Sequence, residues 1–159
     1  MAFNHQSKRP AKALTPDEAL ARMESYCAYR DRCAREVRQK MKELGIRGDT
    51  AEQIYQVLEN EGYVNEARFA LAFAGGKFRV NRWGRVRIRL ELQQRDVAPP
   101  LIRQALDSID EAEYQTVLVE LLEKKRQQYQ VGTDPNGRSK AAAALIRAGF
   151  EPELVFQYL

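Results

Sequence analysis

The sequence predicts an all-α protein made of three tandem three-helix, helix-turn-helix-like repeats in an elongated or curved array. Three observations point there. Apolar residues recur at helical spacing along most of the chain. Capping and stopping residues punctuate them at short intervals. One apolar pattern also returns twice. Val37, Met41 and Ile46 align with Ile88, Leu92 and Val97 at an offset of 51, and that set with Ala141, Leu145 and Phe150 at an offset of 53. A further apolar pair follows each set: Ile54 and Leu58, Ile102 and Leu106, Val155 and Leu159. Pro99 matches Pro152 in the same register.

The elements follow in order. Residues 1–13 are polar and basic without periodicity, and predict a mobile tail. Thr15-Pro16-Asp17-Glu18 opens the first helix, over about 16–30: Thr15 can cap, Pro16 suits the first helical position, and Glu18 completes a capping box. A second helix spans about 31–44, with Ala34, Val37, Met41 and Leu44 on one stripe and Gly45 as its stop. A third, about 50–61, starts at a Thr50–Gln53 box and ends at Gly62. Asn65 caps the next, 65–78, where Gly75-Gly76 is expected to interrupt or fray it. Helices follow over 82–95 and 99–108. Asp110 and Glu113 then form a box before a long helix over 110–130. The turn Asp134-Pro135-Asn136-Gly137 precedes the last two helices, 138–148 and 151–159. The expected units are 14–62, 63–109 and 110–159.

One stretch resists this reading. Residues 85–92 alternate strictly between Arg or Glu and apolar side chains, the pattern of a half-buried strand. The repeat favours helix instead, because the matching third copy contains Ala141-Ala142-Ala143-Ala144, built from the strongest helix former. As a helix it has two apolar faces, one of Ile88 and Leu92, the other of Trp83, Val86 and Leu90. Burial between two neighbouring units is then expected.

Composition narrows the function. In 159 residues, 44% apolar content allows a sizeable core, and 30% charged content implies a strongly ionised surface. The longest apolar run, Ala141 to Ile146, is far short of the ~20 residues of a membrane span. The N-terminal segment has no apolar stretch after Lys8, Arg9 and Lys12, so no secretory signal is expected. His5 is the single histidine, and Cys27 and Cys33 have no second pair, so a zinc site lacks its ligand set. Reduced, buried thiols and a cytoplasmic location are expected. Gly75-Gly76-Lys77 lacks the spacing of a phosphate loop. With no nucleophile paired to a base, no metal and no cofactor implied, catalysis is not expected.

Charge distribution is more informative than the net +4. The middle helix of each repeat is basic: Arg30, Arg32, Arg35, Arg38, Lys40 and Lys42; then Arg82, Arg85, Arg87, Arg89 and Arg95, with Lys77 and Arg79 just before it; then Arg138, Lys140 and Arg147. The third helices carry Glu and Asp, which phosphates repel, so base reading by a final helix is disfavoured. Arginine binds phosphate or carboxylate through a fixed fork. The candidate binding residues are therefore Arg79, Arg82, Arg85, Arg87 and Arg89, with Lys124, Lys125 and Arg126 in support. Their partner is either a nucleic-acid backbone or an acidic protein surface. Trp83 among these arginines could stack on a base or pack in the core.

Three sets of residues resemble the RecX family, regulators of the RecA recombinase. They are Arg30-x-Arg32 with Glu36-Val37, Lys40-Met41 and Gly45; Glu61-Gly62-Tyr63-Val64-Asn65-Glu66 leading to Arg68-Phe69-Ala70, then Gly84, Arg87-Ile88 and Glu91-Leu92; and Lys124-Lys125 with Ala148-Gly149-Phe150. The resemblance covers about 16–159. Departures exist: Cys33 stands where the family usually has Ser, Val37 and Met41 where it has Leu, and Arg95-Asp96-Val97 replaces Lys-Gly-Ile. The resemblance implies tandem three-helix repeats that bind RecA and RecA–DNA filaments and inhibit ATPase, strand exchange and co-protease activities. The alternative is a helical protein that binds the DNA backbone with no recombinase partner.

Overall fold

The stretch that alternates like a strand is a helix. In the computed structural model, which describes residues 12–159, Arg85–Gln94 forms α5, flanked by eight other helices among the described residues. They are α1 (Pro16–Tyr29), α2 (Ala34–Glu43), α3 (Gly48–Asn60), α4 (Glu66–Arg79), α6 (Pro99–Asp107), α7 (Glu111–Gln128), α8 (Gly137–Arg147) and α9 (Pro152–Tyr158). The chain is all-α, in three successive three-helix units. The tail expected at 1–13 falls, up to residue 11, outside the described residues, and so does His5.

The repeat is a burial code. All nine residues of the threefold pattern, from Val37 to Phe150, are buried. Each set ends its helix in the same way. The second residue after the helix takes a left-handed conformation: Gly45 at φ 76°, Asp96 at φ 57° and Gly149 at φ 102°. The next apolar residue then turns inward, and its N–H donates back to the pattern residue five positions earlier: Ile46 to Met41 O (2.8 Å), Val97 to Leu92 O (3.2 Å), Phe150 to Leu145 O (3.1 Å). Asp96 adopts without glycine the conformation that glycine supplies elsewhere.

The expected N-caps hold in most places, but at Thr15–Glu18 and Asp110–Glu113 only the cap side chain bonds, so those boxes are half-formed. Glu18 N donates to Thr15 Oγ1 (3.2 Å), Arg68 N to Asn65 Oδ1 (2.9 Å) and Glu113 N to Asp110 Oδ1 (2.9 Å). The Thr50–Gln53 box does not form. The chain turns through Gly48, α3 starts there, and Thr50 sits inside its first turn. Gly75-Gly76 does not interrupt α4, because Ala74 and Phe78 on either side anchor it in the core. The two-faced burial expected for α5 is also corrected. Ile88 and Leu92 are fully buried, but Trp83 and Val86 are half-buried and Leu90 is 53% exposed. Neighbouring units cover one face and the first turn of α5, and leave Leu90 on the far side.

The core divides in two. One cluster holds residues of α1, α2 and α3, including Met23, Val37, Met41 and Leu58. The other runs unbroken through α4 to α9, from Phe69 to Val155, and takes in Cys33 from ahead of α2.

Candidate functional site

The N-terminus of α5 sets the site. Its first N–H groups have no partner within the helix, and the third unit satisfies them. Gly84 N donates to Ala148 O (2.9 Å), Arg85 N to Tyr114 Oη (3.2 Å) and Val86 N to Gly149 O (2.9 Å). The backbones approach this closely because both Gly84 and Gly149 lack a Cβ. Tyr114, fully buried, stacks between Phe78 (5.7 Å between centroids) and Phe150 (5.3 Å). Its hydroxyl donates to Glu151 Oε2 (2.5 Å). Burial first, and that hydrogen bond second, raise the Tyr114 phenol well above its ordinary value, so it stays a neutral donor.

The arginines around this junction are not equivalent. Arg85 is committed internally: it pairs with Glu111, lies 3.6 Å from Glu151 Oε1, and stacks 3.8 Å over the Tyr114 ring. Arg79 reaches Glu113 (3.8 Å) and Arg82 reaches Glu120 (3.1 Å), both across open surface. Exposed pairs of this kind are worth about 0–1 kcal/mol, so an outside anion can displace them cheaply. Arg87 stacks 3.9 Å over Trp83, with Lys77 Nζ 4.9 Å from the same ring. Among the described residues, neither Arg87 nor Arg89 has a carboxylate within ion-pair distance.

The supporting cluster divides similarly. Lys124 is exposed and has no ion-pair partner among the described residues. Lys125 Nζ donates to Gln128 Oε1 (2.8 Å). Arg126 is half-buried and donates to Tyr158 O, tying α7 to α9. Glu113, Glu120 and Lys124 are spaced seven and four apart on α7, so they share one helix face. That face brings Arg79, Arg82 and Lys124 into one row. Arg85 and Arg89 line a different cleft with Asp107, Asp110, Glu111 and Glu151, a mixed-charge setting.

Sequence reasoning left Lys77 outside the candidate set. Its signal was available, since Phe73 and Lys77 stand one turn apart on α4, and Lys77 lies 5.5 Å from the Phe73 ring. Arg95 stacks 4.7 Å over Phe73 from the other side of the sequence but is also paired with Glu91 (2.8 Å). In the first unit, Arg30 pairs with Glu36 (2.9 Å) and Arg38 with Glu52 (2.7 Å), so much of that basic helix is neutralised internally.

The described residues contain no cluster of three or more metal-ligating side chains, and no helix long and apolar enough to cross a membrane. Cys27 and Cys33 are buried and not bonded to each other.

Comparisons with known proteins bear on the whole arrangement. Residues 65–106 match the family model of the second three-helix domain of RecX, and 111–159 that of the third. The regulatory protein RecX of Prosthecochloris aestuarii is 28% identical over 142 residues, covering 89% of this chain and 91% of that protein. That of Leuconostoc citreum is 29% identical over 136 residues, and this chain spans about half its length (51%). The crystal structure of RecX from Lactobacillus salivarius superposes with a TM-score of 0.81 at 20% identity, over 90% of this chain and 93% of that one, a likeness of fold. Two matched domain models over more than half the sequence, in the order the helices follow, place this chain in the RecX family of regulatory proteins.

Proposed function

We propose that this chain binds a RecA-type recombinase and its filament on DNA, and lowers its ATPase, strand-exchange and co-protease activities without being an enzyme itself. Membership of a family of regulatory proteins supports the class of function. The observation that carries the contact is the set of cations with no ion-pair partner among the described residues, Arg87 and Lys124, with Arg89 in the neighbouring mixed-charge cleft, together with Arg79 and Arg82 in exposed pairs. Arg85 and Arg126 hold the fold and are not part of this set. Lys125 is at its margin. The three helical units, with limits at 14–62, 63–109 and 110–159, supply length to span neighbouring subunits of a filament. A cytoplasmic location fits such a partner.

The test is RecA ATPase on single-stranded DNA, titrated at fixed salt with wild type and with Arg87→Glu/Arg89→Glu/Lys124→Glu. Substoichiometric inhibition that is lost in the variant supports the proposal. No effect of the wild type on ATPase overturns it. Inhibition only when this chain saturates the DNA supports the second reading, a plain DNA-backbone binder. The Lys77 and Arg87 cations held against Trp83 favour that reading, because fixed cations suit a regular row of phosphates.

A further inference from the structure

The two junctions between units occupy the same place in the repeat and use different chemistry. At the offset of 51, Cys33 corresponds to Gly84. At the offset of 53, Asp96 corresponds to Gly149. Between the second and third units both positions are glycine, and backbone meets backbone through the Gly84–Ala148 and Val86–Gly149 hydrogen bonds. Between the first and second units both positions carry side chains. Among the described residues no backbone–backbone hydrogen bond joins the start of α2 to the end of α5.

Side chains bridge that gap instead. Ala34 N–H donates to the Glu66 carboxylate of α4. Arg68 Nε lies 2.7 Å from Asp31 Oδ1 on exposed surface, and Arg35 donates to Gln94 O. Phe69 and Tyr114 both stand four residues after their helix caps, but Phe69 has no hydroxyl, so Glu66 does the capping that Tyr114 does for α5. The cores agree with this division. The first unit's apolar cluster takes in Val64 and the half-buried Tyr63 where the chain passes into the second unit, and Cys33 alone among the first unit's residues is buried in the larger cluster.

We propose that the first three-helix unit is an arm hinged on a rigid body formed by the second and third. Cys33 plugs into that body, and Glu66 latches the plug by capping α2 from the neighbouring unit. Opening breaks the side-chain bridges and withdraws Cys33 from the larger core, while the rest of both cores stays packed. Local opening of this kind lies below the free energy of global unfolding. The hinge needs no recombinase; under the proposed function it would adjust the reach of the array.

The two native cysteines test it in the full chain. Cys33 is fully buried at the junction, whereas Cys27 is buried in the first unit's own core. Each thiol's labelling by a small disulfide reagent is followed by peptide mass spectrometry in native buffer and at low urea. The expected result is faster labelling at Cys33, weakly dependent on urea, with Cys27 following global unfolding. Glu66→Ala should speed Cys33 by about tenfold or more and leave Cys27 unchanged, since a part-buried N–H at the start of α2 loses its charged acceptor. Glu66→Gln, which keeps an acceptor oxygen, should label Cys33 no faster than wild type. Labelling of both wild-type thiols together at the global unfolding rate overturns the hinge. Equal acceleration of both thiols by Glu66→Ala overturns the latch. Should that variant fail to fold, the wild-type comparison decides alone.

Discussion

Replacing Gly84 with alanine should unfasten the second unit from the third. A Cβ at Gly84 would sit well inside contact distance of Gly149 C, Gly149 O and Phe150 N, all backbone atoms that cannot swing aside. The backbones must separate, and the separation strains three hydrogen bonds at once: Gly84 N to Ala148 O, Arg85 N to Tyr114 Oη, and Val86 N to Gly149 O. Each is worth about 0.5–1.5 kcal/mol net, and more where a buried N–H is left unsatisfied. The expected loss is therefore about 2–5 kcal/mol, with a Tm lower by roughly 5–15 °C for a chain of this size. Urea unfolding followed by far-UV circular dichroism measures it. Gly76→Ala is the control: a Cβ there meets nothing within 4 Å, and mid-helix alanine should stabilise by about 0.5–1 kcal/mol. If Gly84→Ala unfolds within ~0.5 kcal/mol of wild type, the close backbone approach does not hold the two units together, and the reasoning fails.

Other expectations follow from the same geometry. Asp96→Gly should stabilise by about 0.5 kcal/mol or more, because Asp96 holds φ 57° at a helix end; a lower urea midpoint would refute this. Tyr114→Phe should cost about 1–3 kcal/mol, because it strips partners from Arg85 N and Glu151 while leaving the ring stack. Two neighbouring carboxylates should respond to pH with opposite sign. Burial opposes the Glu36 charge, but the Cys33 N–H and the Arg30 guanidinium outweigh it and hold its pKa below the usual carboxylate value. Its contribution is present above the ordinary carboxylate pKa and is lost as pH falls through the depressed one, so the stability gap between wild type and Glu36→Gln should close in acid. Burial raises the Glu66 pKa, offset in part by the Ala34 N–H. Its contribution is full below the ordinary value and is lost as pH rises through the raised one, so wild type should weaken relative to Glu66→Gln between acid and neutral pH. Thermal unfolding of both variants across pH 3–7 checks the two signs together.

Short-range information settled the helices. Caps such as Thr15, Asn65 and Asp110 act on N–H groups three residues away, and apolar stripes work over three or four, so both are legible in a linear string. The repeat carried this further and resolved residues 85–92 as helix against their own alternation, because a matching copy elsewhere shared its buried positions. Where a local signal failed, a neighbour had overridden it: Gly48 moved the start of α3 ahead of the Thr50 box, and core anchors carried α4 through Gly75-Gly76. What the basic residues do was decided only in three dimensions. The sequence by itself determined that arginines crowd α5 and the turn before it. Tertiary structure decided that Arg85 is committed to Glu111 and Glu151, that Arg79 and Arg82 are loosely held by α7, and that Arg87 and Arg89 have no ion-pair partner among the described residues. Those carboxylates lie 26 to 66 positions along the chain, and no periodicity of one helix encodes which face of another will meet it.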